Sequence, residues 1–246
     1  MKIGVDYYPE QWDSSLWSKD AEQMLKTGVN IIRICDGAWS SIEYQDSLFY
    51  FDWLDEAINT FENAGIEIMM CIPTDCPPLW LYKKYPQIIQ VGADGKPVQI
   101  GVRGHRCINS PIFLAYAKRL TEQLVRRYGH KQSVVAWQID SELESYQCTC
   151  EICRDKFRKW LLDKYDSFDD IRFAIGAESH SLEYSDISEV EPPTAYPLEW
   201  QNPALCLEYK RFSAECTAEY VNEIASIIRR EVPRANVTTN TWFCEN

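Results

Sequence analysis

Basic charge is scarce in this sequence: 25 Lys and Arg stand against 37 Asp and Glu, for a formal net charge of -12. A surface that tracks a phosphate backbone needs clustered cations to release its counterions, so nucleic acid is excluded as the expected partner. Long apolar runs are missing too. No stretch reaches the eighteen or so residues needed to cross a bilayer, and the start, MKIGVDYYPEQW, has no charged segment followed by an apolar one. No membrane partner and a cytoplasmic location are therefore expected. Neither G-x-G-x-x-G nor G-x-x-x-x-G-K-[ST] follows any strand-like run, which removes the main support for a nucleotide-binding open sheet. Internal repeats, low-complexity tracts and interdomain linkers are absent as well.

What remains is a globular composition, 46% apolar, with ten cysteines, nine Trp and fourteen Tyr. Without a secretion signal, cysteines read as thiols or metal ligands before they read as disulfides. Cys35, Cys71, Cys206, Cys216 and Cys244 sit among apolar residues and read as small buried hydrophobes, whereas Cys76, between Asp75 and Pro77, has no obvious place. Many of the aromatic rings belong in a core. Exposed ones also stack on the apolar faces of sugars.

Short apolar or β-branched runs at 2–8, 30–34, 66–73, 134–139 and 236–240 alternate with helical stretches at 16–26, 53–63, 113–128 and 203–231. Gly65 and Gly129 stand where the second and third of these stretches should stop. The strand-then-helix rhythm predicts an α/β fold with a parallel sheet. Polar residues cluster after each run (Asp6, Arg33 and Asp36, Thr74 and Asp75, Asp140 to Glu142, Asn240 to Trp242), which favours a (β/α)8 TIM barrel, whose active site is built from such loops. Five strands are too few for eight, so residues 1–246 are expected to be the N-terminal portion of a barrel. An acidic, loop-rich segment at about 163–201 reads as an insertion.

Two constellations carry chemistry. Cys148, Cys150 and Cys153 form C-x-C-x-x-C, a spacing that lets one loop wrap three thiolates around a tetrahedral metal, and Cys107 can supply the fourth. Four sulfur ligands leave no open position, so zinc there would pin loops together. The alternative is a set of free surface thiols. The second constellation is VVAWQIDSELES, where Asp140, Glu142 and Glu144 follow a buried run. A carboxyl at the end of a barrel strand, against apolar walls, can have its pKa raised and protonate a glycosidic oxygen; Glu142 is the candidate. A loop charge or a helix cap is the ordinary alternative.

The sequence resembles glycoside hydrolase family 42, the β-galactosidases, along nearly its whole length. The segments that carry the resemblance are GVDYYPEQW (4–12), VNIIRICDGAWSSIE (29–43), FDWLDEAI (51–58), PTDCPPLWL (73–81), KYPQI (84–88), RGHRCINSP (103–111), VVAWQIDSE (134–142), CTCEICRDKFRKWL (148–161) and VTTN (237–240). The resemblance implies a retaining barrel hydrolase acting on β-galactosides, with Glu142 as acid/base and zinc held by Cys107, Cys148, Cys150 and Cys153. It also implies that Arg33 contacts the sugar and that the full-length protein is a cytoplasmic homotrimer; Ser141 and Asn109 are expected to orient the sugar with Arg33. Tyr7, Trp39, His105 and Trp242 are expected to line the pocket; ordinary packing is the alternative for each.

Three positions depart from the family pattern. Ser141 stands where an Asn usually precedes the acid/base, Asp36-Gly37 where Glu-Phe is usual, and His180 near a common Trp. The lost Asn matters most, because its hydrogen bond to the sugar 2-hydroxyl strengthens in the transition state. The nucleophile, a second carboxylate expected about 5–5.5 Å from the first, falls beyond Asn246 in the family, so the chain alone is expected to be inactive. Two rivals stand: a non-catalytic sugar-binding relative, and a zinc-stabilised interaction module.

Overall fold

The computed structural model describes residues 1–101, 103–143, 148–194 and 201–240. The elements in chain order are β1 (Gly4–Asp6), α1 (Ser14–Lys26), β2 (Ile31–Ile34), α2 (Trp39–Ile42), β3 (Glu43–Gln45), β4 (Leu48–Phe49), α3 (Asp52–Asn63), β5 (Glu67–Ile72), α4 (Leu79–Lys84), α5 (Pro111–Tyr128), β6 (Val134–Ile139), α6 (Glu151–Lys164), α7 (Phe168–Ala174), α8 (Pro203–Glu231) and β7 (Asn236–Thr238). They divide between two compact units, one of residues 1–86, 115–143 and 221–246, the other of 87–114 and 144–220.

The first unit holds a five-stranded sheet in the order β1-β2-β5-β6-β7, every pairing parallel. Each strand lies beside the next in sequence (the hairpin β3-β4 apart), with none of the reversal that marks a doubly wound sheet. The five runs seen in the sequence are these five strands. Register places Asp6 beside Arg33, and Gln138 beside Thr238. A register shift between Ile68 and Met69 re-aims β6 against β5.

Burial explains the order of the layers. In β5, Ile68, Met70, Cys71 and Ile72 are fully buried, and α3 covers the sheet with Leu54, Ala57, Ile58 and Phe61, all solvent-free at helical spacing. Each such Leu, Ile or Phe contributes about 1.5–3 kcal/mol on leaving water. Asp13 caps α1 by accepting from Ser15 N at 3.0 Å. Helix α3 stops at Gly65, whose φ of +80° is open to glycine alone at little cost. Helix α5 stops at Gly129 for a different reason: a Cβ there would meet Val125 O at 2.6 Å and Val232 Cγ2 at 2.5 Å.

The second unit is built around an aromatic cluster in which Phe157 lies 4.8 Å from Tyr209 and 5.3 Å from Phe212, ring centre to ring centre. Asn202 caps α8, its Oδ1 accepting from Ala204 N at 2.9 Å. The segment expected to be an insertion carries α7 and two short 3-10 turns, Ser179–Ser181 and Ile187–Glu189.

Candidate functional site

At the C-terminal end of β6 the chain turns through two residues that pay for left-handed backbone, Asp140 (φ +51°) and Glu142 (φ +56°). Such conformations cost a non-glycine residue roughly 1–3 kcal/mol each and persist only where their surroundings over-determine them. They do here. Asp140 N donates to Ile72 O at 3.1 Å, Thr74 Oγ1 donates to the Asp140 carboxylate, and Gln138 Nε2 donates to Asp140 O at 2.8 Å. Glu142 N donates to Asn240 Oδ1 at 2.8 Å, and Leu143 N to Asn240 O at 3.0 Å. The peptide is thus clamped from β5 on one side and from the end of β7 on the other.

Arg33, at the corresponding level of β2, faces three acceptors. Its Nε and Nη2 reach the two carboxylate oxygens of Asp6 at 2.7 and 2.9 Å, Nη2 also reaches Asp36 Oδ2 at 3.1 Å, and Nη1 donates to Ser141 Oγ at 3.2 Å. Burial opposes the guanidinium charge, but the Asp36 and Asp6 carboxylates outweigh it and raise the pKa further. Glu142, Arg33, Asp6, Gln138 and Asn240 line one open cleft of about 440 Å³, together with residues of β1, β2 and β5.

Other expected pocket residues have different surroundings. Tyr7 is 8% exposed, donates its hydroxyl to Asp20 Oδ2 at 2.7 Å and packs edge-on against Phe61. Burial, with Asp20 holding the hydroxyl proton, pushes its pKa above the usual range. Trp39 is fully buried and donates Nε1 to Glu43 Oε2 at 3.0 Å. Neither lines the cleft with Glu142. Asn109, His105 and His180 belong to the second unit, His105 being 3% exposed. Trp242 lies outside the described residues. Sequence reasoning placed Asp6 and Asn240 on the active-site face without a specific role and passed over Gln138, whose place near the end of β6 was the signal available.

In the second unit, the sulfurs of Cys107, Cys148, Cys150 and Cys153 all lie within 4.8 Å of one another. Cys107 Sγ is 3.5 Å from Cys153 Sγ and 3.6 Å from Cys150 Sγ. Tetrahedral zinc with bonds of about 2.3 Å requires sulfur separations of roughly 3.8 Å, so the four side chains fit such an ion. Cys150 precedes α6 directly and Cys153 lies in its first turn, where backbone N–H groups favour thiolate. Thiol hydrogen bonds from Cys107, Cys148 and Cys153 pull the Cys150 pKa down, while Cys107 is pushed up by its sulfur neighbours, Cys148 first, and by burial. Around the cluster, Val91 N donates to Cys148 Sγ at 3.4 Å and Tyr209 Oη donates to Cys148 O.

Comparison with known proteins agrees with this architecture. Residues 6–246 match the family profile described as β-galactosidase, glycoside hydrolase family 42. The β-galactosidase BgaA of Clostridium cellulovorans is 43% identical over 246 residues, all of this chain and 37% of that protein. A β-galactosidase of Thermus thermophilus is 34% identical over 97% of this chain and 37% of its own length. The structure of the β-galactosidase from the Antarctic haloarchaeon Halorubrum lacusprofundi superposes with a TM-score of 0.91 at 35% identity, covering 98% of this chain and 36% of that one. The chain therefore spans little more than a third of the length of these relatives. By the match of the family profile along almost all of it, the chain belongs to the β-galactosidases of glycoside hydrolase family 42.

Proposed function

We propose that residues 1–246 are the N-terminal portion of a (β/α)8 barrel catalytic domain and supply the acid/base half of a retaining β-galactosidase. The observation that carries this reading is Glu142: a carboxylate on a doubly clamped turn at the end of β6, lining a cleft with Arg33, Asp6, Gln138 and Asn240. Glu142 protonates the departing glycosidic oxygen and later takes a proton from the attacking water. Arg33, spread between Asp6, Asp36 and Ser141, ties β1 to the turn before Glu142 and keeps a cation beside the carboxylates. The nucleophile is a second Glu, expected beyond residue 246 and about 5–5.5 Å from Glu142.

Zinc is held by Cys107, Cys148, Cys150 and Cys153, and closed four-sulfur coordination makes its role structural. The cytoplasm, which keeps thiols reduced, suits four such ligands. A homotrimer is the assembly that the family resemblance implies for the full-length protein.

Full-length protein assayed on nitrophenyl β-galactoside tests the catalytic reading. Turnover is expected, with a large loss in Glu142→Gln and none detectable from residues 1–246 alone. A full-length protein that binds galactose but turns over no galactoside, α-arabinoside, β-fucoside or β-glucoside favours the non-catalytic sugar-binding relative, for which Ser141 in place of the usual Asn is the specific observation.

A further inference from the structure

The residue pattern around the cysteines extends beyond the four sulfurs. Asn109, two residues after Cys107, donates Nδ2–H to Cys153 Sγ at 3.3 Å. Its other end, Oδ1, accepts from Lys156 Nζ at 3.0 Å, and Lys156 also donates to Glu219 Oε2 at 2.7 Å. Lys156 lies three residues after Cys153 on α6, so one helical turn presents ligand and cation on the same face. Cys216, 4% exposed, stands outside the four-sulfur group.

Charge explains what such an arrangement can do. Four thiolates around a divalent cation carry a net charge of -2, which a partly buried site must offset. An N–H donor directed at a thiolate withdraws charge from the sulfur and fixes its lone pairs, and a cation on the amide oxygen strengthens that donor. Partners of this kind commonly change metal affinity 10- to 100-fold.

We propose that Asn109 and Lys156 are positioning residues of the metal centre, Asn109 by hydrogen-bonding the Cys153 thiolate and Lys156 by polarising the Asn109 amide and offsetting the charge of the four sulfurs. This rests on the reading of the cysteines as metal ligands. It also gives Asn109 a different task from the sugar contact expected of it.

The test uses full-length protein loaded with zinc, and measures transfer of zinc to a chromophoric chelator. Asn109→Ala is expected to weaken zinc binding roughly 10- to 100-fold. Lys156→Met weakens it less, and Lys156→Arg, which keeps the charge, restores it. Arg172→Ala, on α7 away from the cysteines, serves as the unchanged control. Cobalt(II) substitution gives a second readout. Removing a hydrogen bond from a thiolate raises its lone-pair energy, so the sulfur-to-cobalt charge-transfer band moves to lower energy in Asn109→Ala. Should Asn109→Ala fail to fold, Lys156→Met against Lys156→Arg decides by the same two readouts. Wild-type protein that holds no metal removes the underlying reading. Wild-type protein that holds zinc, with unchanged affinity and cobalt spectrum in Asn109→Ala and Lys156→Met, overturns the inference alone.

Discussion

Asn240 accepts the backbone N–H of Glu142 on its side-chain oxygen at 2.8 Å and returns its own carbonyl to Leu143 N at 3.0 Å. The same Oδ1 accepts Gln138 Nε2 at 3.1 Å. Asn240, two residues past β7, therefore holds the turn that carries the proposed acid/base, and holds it in a conformation Glu would otherwise avoid.

Asn240→Ala removes the acceptor for two donors at once. The expected cost is about 1–3 kcal/mol of stability by urea unfolding. In full-length protein, kcat on nitrophenyl β-galactoside is expected to fall by about tenfold or more with a smaller change in KM, since Glu142 is displaced and not removed. Asn240→Asp keeps the oxygen and should recover most of the stability. Unaltered kcat in Asn240→Ala would show that the Glu142 turn does not depend on this latch.

Arg33 is the second point of rigidity. Its planar fork satisfies Asp6, the buried Asp36 and Ser141 together, which a single ammonium cannot do. Arg33→Lys keeps the charge and loses the fork. Stability should drop by about 1.5–3 kcal/mol, the range for hydrogen bonds to charged groups. A variant unfolding within 0.5 kcal/mol of wild type, about the scatter expected of an ordinary surface change, would mean that these bonds contribute little.

The five strands, four of the five long helices and the cysteine cluster were legible because each rests on a local pattern; α6, with only Cys153, Phe157 and Leu161 buried, went unread. β5 is a continuous apolar run, α3 repeats its apolar positions at helical spacing, and Cys148, Cys150 and Cys153 are adjacent. The surroundings of Trp39, Tyr7 and Asn240 were not. An aromatic residue after a strand reads the same whether its ring faces a cleft or, like Trp39, lies solvent-free with its N–H on Glu43. The latch from Asn240 to Glu142 joins residues 98 apart and has no local signature. The short helices α2 and α4 and the hairpin β3-β4 lack the length for a periodic signal.

Trp39 can be assigned by experiment. Trp39→Phe keeps the ring but strips a donor from Glu43, which is fully buried and also accepts from Ser47 N at 2.8 Å and from Arg119. Desolvation already raises the Glu43 pKa, against the donors that lower it, so losing one donor should raise it more. Expected are a stability loss of about 1–3 kcal/mol and an unchanged KM for galactosides in the full-length protein. A raised KM with unchanged stability would return Trp39 to the sugar pocket.

Asp46 gives the clearest pH dependence. It sits between β3 and β4 and accepts from Lys84 Nζ at 2.6 Å, Tyr116 Oη at 3.1 Å and Arg119 Nη1 at 3.1 Å. The hydrogen bond from Lys84 above all, joined against desolvation by those from Arg119 and Tyr116, lowers its pKa from 3.8 to about 2. A carboxylate whose folded pKa lies below its unfolded value stabilises the fold above the unfolded pKa, and loses that contribution as pH falls through the folded one. Asp46→Asn should therefore unfold at lower urea than wild type at pH 6, and the gap should close as pH falls from 3.8 towards 2. Moderate salt should narrow the gap at pH 6 as well, because Asp46 is part-exposed and its partners are screened. A gap that stays constant down to the acid limit would assign the effect of Asp46→Asn to shape in the β3-β4 turn and not to its charge.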